Sequence, residues 1–261
     1  MADPANHVCM HAVLYGKGGK RWAMTERGRD ALTRDARSLA IGPSAMRWED
    51  GALTVRLEEV TAPIPSRLRG TIRLTPLVPP NPRGFTLDGA GRQRWRPIAP
   101  LSRVEVEMES PALRWSGPAY FDTNDGDAPL EEDFRQWDWC RAPLRAGGGA
   151  ILYNAERRDG TAQALSLRIR PDGVVEDAPL LPPTSLKRSL WGVARPTRAD
   201  AGAAPRVVSK MEDAPFYTRS VISTRLFGEE ATAVHESLDL DRFAALPIQA
   251  MLPFRIPRRW W

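Results

Sequence analysis

Residues 103–109 read Arg103-Val104-Glu105-Val106-Glu107-Met108-Glu109. Apolar and charged side chains alternate without a break, the period of a β-strand with one buried face and one wet face. The same period runs outward along the chain. Leu53, Val55 and Leu57 alternate with polar neighbours in 52–60, Ile72 and Leu74 do so in 71–75, and Leu165, Leu167 and Ile169 form a further set. That set stops at Pro171-Asp172-Gly173, a turn signature, and 219–227 reads as a late strand. Turn clusters at Gly16–Gly19, Glu49-Asp50-Gly51, Asp88-Gly89 and Arg158-Asp159-Gly160 separate the runs. Many short alternating strands predict an all-β antiparallel sandwich or barrel. Proline (24) outnumbers glycine (20) and is scattered through most segments, which leaves little room for long helices. Two short helices are expected, over 25–37 and over 130–139, the second opened by Pro129 with Glu131, Glu132 and Asp133 in its first turn. The Pro/Gly-rich break at 143–149 is the best internal boundary and divides the chain into lobes at 1–145 and 146–261.

Composition narrows the function classes. The 261 residues are 42% hydrophobic and 26% charged, ordinary globular usage. No stretch approaches the ~18 apolar residues of a membrane-spanning helix. The first residues lack a basic region followed by an apolar core, so no secretory signal is expected, and two cysteines make no disulfide framework. A cytoplasmic setting follows as an expectation. The net charge of +5 suits an anionic surface, but acidic residues are interspersed along the chain and no continuous basic stripe of the nucleic-acid type is read, so no nucleic-acid partner is expected. Tryptophan is abundant, at 9, and such side chains line apolar cavities as well as filling cores.

Several motifs fail on inspection. His7, Cys9 and His11 would share one strand face and are metal-ligating types, but no fourth ligand stands nearby, and no metal site is assigned. Gly16-Lys17-Gly18-Gly19-Lys20 lacks the spacing of a phosphate loop and reads as a hairpin turn. Asp122-Thr123-Asn124-Asp125-Gly126-Asp127 puts its glycine at position 5 of a calcium loop rather than 6 and has Asp133 where the loop needs Glu at position 12, leaving a polar turn or a catalytic acid at one end of it. None of His7, His11 and His235 lies near a nucleophile elbow, and His235 reads as a structural or pocket residue rather than a general base.

A longer pattern runs through the chain. It includes Arg21-Trp22-Ala23-Met24, Ile41-Gly42-Pro43-Ser44, Pro63-Ile64-Pro65 with Arg67-Leu68-Arg69-Gly70, and Trp95-Arg96-Pro97-Ile98. It continues with Trp115-Ser116-Gly117, Tyr120-Phe121-Asp122, Phe134-Arg135-Gln136-Trp137-Asp138-Trp139, Asp213-Ala214-Pro215-Phe216-Tyr217 and His235-Glu236-Ser237-Leu238. In this order the stretches resemble the carotenoid 1,2-hydratases of the CrtC type, the hydroxyneurosporene synthase family. The resemblance implies a lipocalin-like architecture in two related lobes. It implies addition of water to the terminal C1=C2 bond of an acyclic carotenoid such as neurosporene or lycopene, without metal or organic cofactor. It places the acid on Asp122, with Tyr120 and Trp95 beside it. Where the family has a histidine two residues before that tryptophan, this sequence has Gln93. Trp115, Phe121 and His235 are the expected substrate contacts. Family members also carry a stretch upstream of the Asn6-His7 motif, so a shortened N-terminus is a further expectation.

The chemistry supports those residue types independently. An unactivated alkene is a weak base, so hydration needs a carboxylic acid kept protonated by burial. On a strand Tyr120 and Asp122 share a face, which puts a ring beside the acid. Protonation leaves a tertiary cation, and Trp or Tyr faces stabilise a desolvated cation by about 2 kcal/mol or more. Gln93 can hold a water but cannot take its proton, which the Asp122 carboxylate could accept. A polyene substrate must arrive from a membrane, and 254–261, rich in Arg and Trp, suits a headgroup interface. With the resemblance, this implies a cytoplasmic protein peripheral at the inner, photosynthetic membrane. Two other readings fit a lipocalin-like frame: an acid-catalysed polyene or terpenoid cyclase, and a carrier of an apolar ligand.

Overall fold

The computed structural model describes residues 3–16 and 19–259, and these fold as an all-β protein whose strands are almost wholly antiparallel. A two-residue parallel pair, Glu26–Arg27 with Arg258–Arg259, is the exception among them. The chain groups into two compact units, each discontinuous in sequence. The first comprises Met1–Leu77, Ser102–Ala119 and Ala250–Trp261, and the second Val78–Leu101 and Tyr120–Gln249. Two long strands belong to both: Gln93–Ser110 leaves the second unit at 101/102, and Ala112–Gly126 re-enters it at 119/120. The boundary expected at 145/146 falls inside the second unit, in the turn between strands Phe134–Pro143 and Gly149–Arg157.

In the first unit, Leu32–Arg34, Ser38–Ile41, Ser44–Glu49, Ala52–Val60 and Arg67–Pro76 follow one another as an antiparallel meander. The 103–109 stretch pairs with the last of these, Val106 opposite Ile72 and Val104 opposite Leu74. Val104, Val106 and Met108 are buried with Leu57 and Leu68, so the alternating period marks the core face. Asp50 and Gly51 both take positive φ (50° and 70°), the requirement of a two-residue hairpin turn that matches strand twist. This unit also buries an ion pair. The Arg27 guanidinium donates to both oxygens of Glu59, at 3.2 and 2.9 Å, and Ser44 donates its hydroxyl at 2.8 Å. Gly42, at φ +57°, makes room for that guanidinium, since a Cβ there would lie 2.5 Å from Arg27 Nε.

In the second unit seven strands form one sheet, in the order Val175–Asp177, Ala162–Ile169, Gly149–Arg157, Phe134–Pro143, Glu229–Asp239, Tyr217–Leu226 and Arg206–Asp213. One face packs Trp95, Phe134, Ile151, Tyr153, Leu167 and Ile169 into a core. The other carries Cys140, Leu152, Ile222 and Ala233 beneath Leu181 and Leu186.

Both expected helices are corrected. Residues 25–37 form two short strands, Glu26–Arg27 and Leu32–Arg34, around a single 3-10 turn at Arg29–Ala31. The Arg27–Glu59 pair and the Leu32–Ile41 pairing hold that segment extended, a tertiary effect that local propensity does not contain. Residues 130–139 keep one helical turn, Leu130–Asp133, and then become strand Phe134–Pro143. There Asp138 and Cys140 are buried on one face while Trp137 and Trp139 lie on the other, a period of two.

Candidate active site

The central feature of the second unit is a cavity of about 440 Å³, a size typical of small-molecule sites. Tyr120, Asp122, Asn124, Leu130, Trp137, Trp139, Tyr153, Arg219 and Glu236 line it. Leu130 and Asn124 are exposed and mark its open side. Strand alternation explains the rest of the wall. Trp139 stands opposite Tyr153 on one neighbouring strand and opposite Glu236 on the other, and Glu236 stands opposite Arg219. Directly opposed residues share a face, so one strip of sheet supplies two aromatic rings and one ion pair.

Asp122 sits where strand Ala112–Gly126 has re-entered the unit. Its Oδ2 accepts two hydrogen bonds, from Trp95 Nε1 at 2.8 Å and from the Tyr120 hydroxyl at 3.0 Å. Burial pushes the Asp122 carboxyl above the usual carboxylate range, and the Trp95 and Tyr120 hydrogen bonds pull it partly back. The result is an acid that holds its proton to higher pH than an exposed aspartate. Burial and the neighbouring carboxyl push the Tyr120 hydroxyl well upward, so it stays a donor.

The rings around this acid are fixed by one another. Trp95, 1% exposed, lies 5.4 Å from both Phe85 and Tyr153, centroid to centroid. Tyr120 lies 5.4 Å from Trp139, and Trp137 lies 5.9 Å from Tyr153. Arg141, desolvated among them, places its guanidinium 5.3 Å from the Tyr120 ring centroid. Such packing restricts the rotamers of these side chains.

Of the residues expected from sequence, Asp122, Tyr120 and Trp95 come together as one hydrogen-bonded cluster. Gln93 does not line the cavity. Its amide donates to Ala128 O and to Asp133 Oδ2, each at 2.8 Å, and its carbonyl packs where a Cβ on Gly126 would come within 2.3 Å. Phe121, next to Asp122 on the strand, alternates to the other face and is not among the lining residues. Trp115 belongs to the first unit, where it is 49% exposed and borders a hollow with Arg73 and Glu105. His235 lies on the opposite face of the sheet from Glu236. It is fully buried, its Nε2 stands 2.8 Å from Pro196 O, and burial pulls it down to about 4. It is therefore a neutral, structural histidine.

The sequence reading missed Arg219, Glu236, Tyr217, Tyr153, Trp137 and Trp139. One signal was available for the first two. Phe227 and Gly228 (φ 55° and 85°) form a two-residue turn, and counting back from it along both strands sets Arg219 opposite Glu236. The Asp125 and Asp127 carboxylates of the rejected calcium motif are occupied by Arg94, at 2.6 and 2.8 Å. His7 and His11 are likewise engaged, His7 with Glu26 and His11 with the Trp22 ring 5.1 Å away.

Comparison with known proteins gives a consistent result. The family model described as carotenoid hydratase CrtC matches residues 1–261. An acyclic carotenoid 1,2-hydratase of Thiocapsa roseopersicina is 53% identical over 257 residues, which is 98% of this chain and 63% of that protein. The Rubrivivax gelatinosus protein of the same name is 44% identical, over 99% of this chain and 63% of its own length. The Cereibacter sphaeroides protein of that name is 43% identical, over 98% of this chain and 91% of its own. The chain thus spans less than two thirds of the first two relatives and nearly all of the third. Among solved structures, a Nitrosomonas europaea protein provisionally named AttH superimposes with a TM-score of 0.65 at 13% identity, covering 88% of this chain and 80% of that one. That likeness shows that the two chains share a fold.

Proposed function

The chain belongs to the CrtC carotenoid hydratase family, and from that premise we propose that it adds water across the terminal C1=C2 bond of an acyclic carotenoid, with Asp122 as the acid. The observation that carries this reading is the Asp122 carboxyl held by Trp95 and Tyr120 on the wall of an aromatic cavity. The cavity admits one end of a long polyene. Protonated Asp122 gives its proton to C2; the π electrons form the C2–H bond and leave a tertiary cation at C1. Tyr120, Trp137, Trp139 and Tyr153 offer ring faces to that cation, each desolvated contact being worth about 2 kcal/mol. Trp95 and Tyr120 also stabilise the carboxylate that Asp122 becomes, so the same two donors serve both states of the acid. Water then captures C1 to give the tertiary alcohol.

Chromatography of carotenoids from lycopene-producing cells that express this chain tests the reading. Hydroxylated lycopene with the parent and none with Asp122→Asn is the expected result. A cyclised product would instead identify a cyclase. Unchanged lycopene with tightly retained pigment, indifferent to Asp122→Asn, would identify a carrier.

The substrate's insolubility supports a second element of the proposal, contact with a membrane surface at the inner, photosynthetic membrane. No helix among the described residues is long and apolar enough to cross a bilayer. Helix Leu246–Arg255 instead turns Leu246, Met251 and Phe254 outward, 83%, 51% and 82% exposed, on one side. Trp260 and Trp261, expected to join that contact, lie outside the described residues. Flotation with anionic liposomes should fall on Phe254→Ser; unchanged flotation would remove this element.

A further inference from the structure

The hydration has a second proton transfer, for which the sequence motif offers only the Asp122 carboxylate. Water that captures the C1 cation becomes an oxonium and must lose a proton. Gln93 cannot accept it, and its amide is already committed to Ala128 O and Asp133. Among the residues lining the cavity of about 440 Å³, Asp122 and Glu236 carry the carboxyl groups.

Glu236 is built differently from Asp122. Its Oε1 accepts from Arg219 Nε at 2.9 Å and lies 2.7 Å from the second guanidinium nitrogen, while its Oε2 accepts the Tyr217 hydroxyl at 2.7 Å. The Glu236 side chain is 13% exposed, so the pair is largely withdrawn from solvent yet reaches the cavity. This geometry seats a cation and a phenol on the Glu236 carboxyl, whereas Asp122 on the same cavity meets only the neutral Trp95 and Tyr120 donors. Two carboxyls on one cavity wall, one held by a cation and the other by neutral donors, are placed to serve different steps. The three donors also blunt Glu236 as a nucleophile toward the cation, while Oε2, which accepts the Tyr217 hydroxyl, retains acceptor capacity for a water.

We propose that Glu236, oriented by Arg219 and Tyr217, holds the attacking water and takes its proton. This rests on the hydratase reading above. The steps balance as follows. The Asp122 O–H bond and the C1=C2 π bond break as C2–H forms, and a lone pair of the water oxygen then makes the C1–O bond. The oxonium O–H then breaks as a proton joins the Glu236 carboxylate. Solvent exchange returns that proton from Glu236 to Asp122, so alkene plus water gives alcohol with both groups restored. Arg219 and Tyr217 are positioning residues, since they act through Glu236.

Heavy water separates capture from protonation. In D2O, Asp122 delivers a deuteron to C2; if capture fails, the cation returns to alkene by losing the original C2 proton, and recovered substrate carries deuterium. Glu236→Gln should lower alcohol formation by about 100-fold or more while deuterium still enters recovered polyene. Asp122→Asn should abolish both. Glu236→Asp, which keeps the charge, should form more alcohol than Glu236→Gln; the reverse order would assign Glu236 a role in shape alone and overturn the proposal. Undiminished alcohol from Glu236→Gln, or loss of exchange together with product, would also overturn it. No alcohol from the parent chain would instead overturn the hydratase reading itself.

Discussion

Glu59 in the first unit and Asp122 in the second are both carboxyls withdrawn from water, and their neighbours differ. Glu59 faces the Arg27 guanidinium through two hydrogen bonds, with Ser44 as a third donor. Asp122 receives an indole N–H and a phenol O–H, both neutral. A cation beside a buried carboxylate offsets its desolvation and fixes its charge. Neutral donors offset only part of that cost, so the acid form persists. The first arrangement ties two strands together; the second leaves a carboxyl that holds its proton to higher pH than an exposed one. A third carboxyl, Asp138, lies closer to the second case. It is buried on the far face of the same sheet as Trp137 and Trp139, with Asn154 at 2.9 Å as its hydrogen-bond donor, and burial pushes it up to about 7. It lacks the aromatic surroundings of Asp122, because alternate residues of one strand face opposite ways.

Substitutions can sharpen or break this contrast. The largest effect is expected from Asp122→Asn, a loss of roughly 10²–10⁴ in hydration rate without loss of fold, read by product formation and circular dichroism. Retained activity would make Asp122 a second Glu59. Glu59→Ala should leave turnover of the remaining folded protein unchanged but cost about 3–5 kcal/mol of stability, because it strands the buried Arg27 charge. Denaturant unfolding measures this, and a cost below ~1 kcal/mol would show that the pair is not a structural tie.

Asp138→Asn tests the intermediate case through pH. Its folded pKa, about 7, is above the ordinary value of about 3.9. Its stabilising contribution is therefore full below pH ~4 and lost as pH rises through 7, a change on the order of 4 kcal/mol. His235 works in the other direction. Its folded pKa is pulled down from 6.5 to about 4, so its contribution is present above ~6.5 and lost as pH falls through 4. Asp138→Asn should flatten the decline between pH 4 and 7 and leave the acid-side loss intact. An unchanged stability profile would mean that Asp138 is ordinary in the folded state.

The smallest effect is expected from Tyr120→Phe. Removing its hydroxyl takes away a donor that favours the Asp122 carboxylate, so the high-pH decline in activity should move upward even as the rate falls. A downward movement would contradict the assignment of Asp122 as the acid that must be protonated.

Much of the strand framework was legible because a buried face writes a period of two into the chain. The stretch 103–109 forms part of strand Gln93–Ser110, and 52–60 matches strand Ala52–Val60. The segments 25–37 and 130–139 were misread because short stretches carry both periods weakly, and there Arg27–Glu59 and the pairing of Trp139 with Tyr153 decided the backbone. The resemblance placed Asp122, Tyr120 and Trp95 together, and the strand period alone joined only the first two. Gln93 and His235 look like site residues in sequence, but hydrogen bonds to Asp133 and the Pro196 carbonyl hold them elsewhere.

The sequence by itself therefore determined much of the strand content and the family, since these follow from local periodicity and from short motifs. Only the tertiary structure decided which rings face that acid, that Gln93 is tied away from the cavity, and that Arg219 and Glu236 complete its wall. Those facts depend on strand register and on which side of a sheet each residue falls, and a register is fixed by packing against distant strands.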